Sequence, residues 1–175
     1  GMRGRFNEAA AMATDATTLA PMDPTTWEEL ASLHADAGDV VRLHPVVEVL
    51  RREFPMRAAS WYFAASESFL KGDVTTALPL VRRAIDLDAG YADAYNLLGA
   101  IQATAGDIAA GRDAFRTSLR LDPRDVVTYI NLAQLELNAG QGPVAANLFA
   151  EALSLDPNSM PAREGLVQLG SGSQP

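Results

Sequence analysis

Few residues in this 175-residue chain are equipped to do chemistry. Its two histidines, His34 and His44, have no metal-binding motif around them, and the absence of cysteine removes both a thiolate nucleophile and a thiolate zinc site. Paired carboxylates at Glu28 and Glu29, and at Asp86 and Asp88, have the functional groups of a general acid and base. No nucleophile, phosphate loop or metal motif accompanies them, so they are read as solvated helix faces. Arginines recur at Arg51 and Arg52, at Arg82 and Arg83, and as a row at Arg112, Arg116 and Arg120. That last row is spaced four apart on one helix face and could meet an acidic partner, but acids interleave it and a solvated face is the simpler reading. The amides Asn96, Asn131 and Gln134 are different. Each offers both a donor and an acceptor, the two functions needed to hold another chain's backbone. The chemistry is that of recognition, and no catalytic residue, metal or cofactor is expected.

What positions those amides is a repeat. The stretch from Tyr95 to Pro123 has a skeleton that returns 34 residues later, from Tyr129 to Pro157. A fixed period of this length means stacked helix-turn-helix units. Once the period is known, two weaker copies emerge upstream. Trp27, Leu30, Ala31, Gly38, Asp39 and Pro55 fall in phase in one, and Trp61, Ala64, Ala65, Gly72, Asp73, Ala77 and Ala84 in the other, where Ala89 replaces the closing proline. Gly106 and Gly140 are expected to close their helices in the left-handed conformation, with Asp107 capping the next helix. In the last copy Gln141 stands in that Asp position and Gly142-Pro143 begins the helix. Pro45 and Pro79 share one slot in their second helices and predict a kink or a late helix start. Leu43 and Leu50 fill slots that are small in the other copies, so that helix is expected to stand off from its partner.

The set Tyr95, Leu98, Gly99, Gly106, Asp107, Gly111, Phe115, Ser118 and Pro123 resembles a tetratricopeptide repeat. The resemblance spans roughly residues 24 to 169. It implies an all-α, right-handed superhelix, an α-solenoid of four repeats at 24–57, 58–91, 92–125 and 126–159, with a capping helix at 160–169. The N-terminal segment 1–23 is expected to be partly helical or loosely docked, and the tail 170–175 disordered. It further implies a concave groove lined by the first helix of each repeat, able to take a peptide or helix of another protein. Helical spacing then puts Glu28, Glu29, Tyr62, Phe63, Ser66, Phe69, Asn96, Leu97, Ile130, Asn131 and Gln134 on that lining, acidic at its start and apolar in its middle. The family members that grip a C-terminal carboxylate use Lys, Arg and Asn on these helices. Here the equivalent slots hold Glu29, Phe63, Leu97 and Asn131, of which only Asn131 fits, so that subclass is rejected.

Composition agrees with a recognition protein that avoids polyanions. A formal charge of -8 and a pI near 4.7 leave no phosphate-backbone footprint, so nucleic acid is not an expected partner. No apolar run has the length of a membrane span, and the chain is expected to be cytoplasmic. The reading is a non-catalytic adaptor or scaffold for protein-protein interaction, whose partner has apolar and basic character. The alternatives are a self-associating structural subunit, a homodimer through groove or end face, and a regulatory module of a larger enzyme or secretion assembly.

Overall fold

Four glycines with positive φ, Gly38 at 65°, Gly72 at 78°, Gly106 at 86° and Gly140 at 76°, fold the chain back on itself at regular intervals. The computed structural model describes residues 22–171 together with Thr18; the rest of the expected N-terminal segment and the end of the tail lie outside the described residues. Each glycine ends one helix by a shared device. The residue after it donates its backbone N–H five residues back, Asp39 to His34, Asp73 to Ser68, Asp107 to Gln102 and Gln141 to Glu136, at 2.8–2.9 Å. That residue then opens the next helix with its side chain. The carboxylates of Asp39, Asp73 and Asp107 accept from the N–H groups of Arg42, Thr76 and Ala110 at 3.1, 3.0 and 3.0 Å. One residue thus satisfies a terminal carbonyl of one helix and a terminal donor of the next. Gln141 makes no such side-chain cap, and Pro143 in the first turn takes its place.

The helices so delimited are α1 (Pro24–Asp36), α2 (Val40–Glu53), α3 (Ala58–Leu70), α4 (Val74–Leu87), α5 (Ala92–Thr104), α6 (Ile108–Leu121), α7 (Val126–Asn138), α8 (Gly142–Leu155) and α9 (Met160–Ser171). No strand occurs among the described residues. α2 and α4 begin at Val40 and Val74 on their aspartate caps and run through Pro45 and Pro79, so neither proline delays its helix.

The chain divides into two compact units at Ala89 and Gly90. In the first, α1 packs on α2 and α3, and α3 on α2 and α4. Leu30, Ala31, Leu43, Val46, Val47, Leu50, Phe63 and Ala64 form its core. Leu43 and Leu50 are fully buried between α1 and its neighbours, and the α1/α2 pair has the sparsest close backbone approach of the four pairs, as expected of large residues in small slots.

In the second unit α5 packs on α6 and α7, α7 on α6 and α8, and α9 on α7 and α8. Gly99 is required there by space: a Cβ at this position would come within 2.6–2.8 Å of the Phe115 ring. The ring in turn packs with Leu132 and Leu135 of α7. Phe149 repeats the arrangement one period later beside Ala133, Ala145, Ala152 and Ala162. One buried polar cluster is partnered across elements. The Ser118 hydroxyl donates to the Ala92 carbonyl at 2.9 Å and lies 3.2 Å from the Thr128 hydroxyl, which bonds Asp125.

Candidate peptide-binding faces

In the second unit the first helices of successive pairs, α5 and α7, lie side by side, and the amides sit along their shared face. Helical periodicity puts Asn131, Gln134 and Asn138 in one row on α7, three and four residues apart. Asn131 donates from Nδ2 to Oδ1 of Asn96 on α5 at 3.0 Å, and Gln134 donates from Nε2 to Oδ1 of Asn138 at 3.0 Å. Each bond engages one function of each amide. The Asn96 and Asn138 NH2 groups and the Asn131 and Gln134 carbonyls remain directed by these bonds yet able to pair with an arriving chain. Beside the row opens a cleft of about 340 Å³, lined by Ala100, Ala103, Ile108, Phe115 and Leu135, with Thr104 and the α7 amides at its margin. No charged side chain lines it. An apolar floor bordered by oriented amides is the usual makeup of a site for an uncharged side chain and its backbone.

Leu97 and Ile130 flank this face half-buried, and Ile130 and Leu137 also pack on the Phe149 core. Directly behind the face, Glu136 of α7 is buried to 4% exposure and held by the Arg112 guanidinium of α6 through two bonds of 2.5 and 2.8 Å. The Arg112 hydrogen bonds hold the Glu136 carboxyl below the usual carboxylate range against the opposing effect of burial. This bridge ties the second helix of one pair to the first helix of the next. It also removes Arg112 from the outer row that the sequence suggested; in that row Arg120 bonds Thr117 and Arg116 faces Asp113 at 4.0 Å.

The first unit treats the expected lining residues differently. Phe63 is 5% exposed and belongs to the core under α1 and α2, and Ser66 is buried as well. Glu28 is engaged by Arg57, which precedes α3, through bonds of 2.5 and 3.1 Å, so the start of this face is less acidic than its sequence. Glu29 is exposed and Phe69 half-buried. Tyr62 packs at the rim of the core, edge-on to Phe63 with centroids 5.0 Å apart.

The histidines also acquire partners or surroundings that linear spacing hides. His44 Nδ1 lies 2.8 Å from Oε1 of Glu67 on α3, and Lys71 bonds the same carboxylate. His34 is buried, its Nδ1 has no hydrogen-bond partner, and burial pushes its pKa below the ordinary imidazole value. Among the described residues no three His, Cys, Asp or Glu side chains are grouped to hold a metal ion. No described helix is long and apolar enough to cross a membrane.

Residues 71–126, which include α5, α6 and the Gly99–Phe115 contact, match the family model of the tetratricopeptide repeat. That stretch is a tetratricopeptide repeat. Among solved structures it is similar to a thermophilic tetratricopeptide-repeat protein of Thermus thermophilus, with a TM-score of 0.83 and 21% identity over 97% of this chain and 91% of that one. It is similar to MamA at a TM-score of 0.61 and 20% identity, covering 95% and 94% of the two chains. YrrB, described as a TPR protein with an unusual peptide-binding site, is similar at 0.64 and 16%, covering 95% and 86%. At such identities the likeness is one of fold, and the all-α helical-repeat class expected from the sequence is the one observed. A search of curated protein sequences finds no match. Tetratricopeptide repeats generally mediate protein-protein interaction and are typically without catalytic activity.

Proposed function

We propose that this tetratricopeptide-repeat protein is a non-catalytic adaptor that binds a peptide segment of another protein on its first-helix faces. The observation that carries the reading is the Asn96–Asn131 pair beside the uncharged cleft of α5, α6 and α7. A bound segment lays its backbone along this row, where the Asn96 and Asn138 NH2 groups donate and the Asn131 and Gln134 carbonyls accept. An apolar side chain of that segment enters the cleft over Phe115 and Leu135. Leu97 and Ile130 form the apolar shoulders. In the first unit, Tyr62, Phe69 and the exposed Glu29 form a separate face suited to apolar and basic side chains, and Phe63, Ser66 and Glu28 support it from beneath or through Arg57.

Peptide display against the purified chain tests the reading, with Asn96→Ala, Asn131→Ala as the counter-selected variant. Removing both partners of a hydrogen bond leaves no orphaned group, so the variant is expected to fold like the parent. Peptides with one apolar anchor and no charge beside it are expected to be enriched and to bind the variant at least about tenfold more weakly. Equal binding to both proteins would overturn the assignment of the face.

A further inference from the structure

In the first unit, the aromatic ring of Trp61 on α3 carries two cations. The Arg51 guanidinium of α2 lies over the ring at 5.1 Å from its centroid and that of Arg83, on α4, at 6.0 Å. The indole is held at its edge, since its Nε1–H donates to the Pro55 carbonyl at 2.8 Å. Arg82 adjoins Arg83 in sequence and is exposed, as Arg51 and Arg83 are. In a chain where 22 acids face 14 bases, these three arginines form no ion pair with any described carboxylate. Glu48 and Asp86, each three residues from a ring-bound arginine on the same helix, stand outside ion-pair distance of it.

Stacking on a ring face engages the π surface of a guanidinium and leaves its in-plane N–H groups for a ligand. Two like charges gathered on one ring repel each other, and a bound anion relieves that repulsion. A carboxylate accepts two parallel bonds from a guanidinium, so a pair of arginines held by one indole presents spaced bidentate sites. We infer that Trp61, Arg51 and Arg83 form a second docking site, for an acidic protein segment with neighbouring Asp or Glu side chains, on the face built by α2 and α4. Charge complementarity selects the occupant: the patch is cationic in a protein of formal charge -8, and its donors match carboxylates.

The test uses the full chain with Trp27→Phe, which leaves Trp61 as the sole tryptophan. Hexaglutamate is titrated while indole emission is followed, and calorimetry on the unsubstituted chain gives an independent affinity. Saturable quenching or enhancement is expected, weakening about tenfold between roughly 50 and 300 mM salt. Arg51→Gln, Arg83→Gln is expected to lose at least about tenfold in affinity, and Arg51→Lys, Arg83→Lys to recover only part, because lysine keeps the charge without the fork. Unchanged affinity in the glutamine variant would overturn the site. So would equal competition by inorganic phosphate, which marks a general anion site, or a salt-sensitive dimer that the glutamine variant abolishes, which gives the patch to a second copy of the chain.

Discussion

Replacing Gly99 by Ala sets two effects of opposite sign against each other within α5. Alanine is the better helix former by about 1 kcal/mol, so an unobstructed site would gain stability. The new methyl, however, would stand 2.6–2.8 Å from three carbons of the Phe115 ring, roughly 0.6–0.8 Å short of ordinary contact. The ring is 2% exposed and packed against Leu132 and Leu135, so it cannot swing into solvent. Overpacking a core in this way costs about 1–3 kcal/mol, and the net expectation is a loss of about 1 kcal/mol. Urea denaturation followed by circular dichroism reads the change directly. Pairing Gly99→Ala with Phe115→Leu should relieve the clash, giving a favourable coupling of about 1 kcal/mol or more in a double-mutant cycle. Because Phe115 also floors the cleft, the single variant should weaken the selected peptide. A Gly99→Ala protein about 1 kcal/mol more stable than its parent would refute the close approach of α5 to this ring.

Three further outcomes follow from other elements. Gln141→Asp supplies the side-chain cap that Asp39, Asp73 and Asp107 already give their helices, and should stabilise the chain by about 1 kcal/mol in the same urea assay. Arg112→Ala leaves Glu136 buried without its partner and should cost about 3 kcal/mol, whereas Arg112→Met with Glu136→Leu should fall near the parent. The parent's Glu136 pKa lies below its unfolded value, so its share of stability is present above about pH 4.5 and is lost as pH falls through the folded pKa, a loss the double variant should lack. His34 is depressed below 6.5 in the folded protein, so the unfolded chain takes up that proton first on acidification. Stability should be unaffected above about pH 6.5 and decline below it, and His34→Phe should flatten that part of the curve in thermal melts across pH 5–8.

The turn chemistry and the spacing of the small residues were legible because both are local. A glycine forced to positive φ, followed by an aspartate that caps, announces itself within four residues, and the period carries it along the chain. Which side of a first helix meets the partner was only half legible. Spacing gives the angle of Phe63 around α3, but α2 packs on that helix as well as α4, and the α1/α2 side takes Phe63 into the core while Tyr62 keeps the rim. The side-chain pairs Arg57–Glu28, His44–Glu67 and Arg112–Glu136 join residues 29, 23 and 24 apart, beyond any one-helix rule. A signal for two of them was present: His44 and Arg112 occupy the same slot two periods apart, and each faces an acid on the first helix of the following pair. The Trp61 site was hidden for the same reason, since its arginines come from two helices.

Side-chain amide NMR observes the amide row of α5 and α7 directly. On titration with a peptide selected on the parent chain, the NH2 resonances of Asn96, Asn131, Gln134 and Asn138 are predicted to shift together and to saturate with the affinity measured by calorimetry. Saturating binding that leaves all four unmoved, with its shifts confined to α6 and α8, would contradict the account.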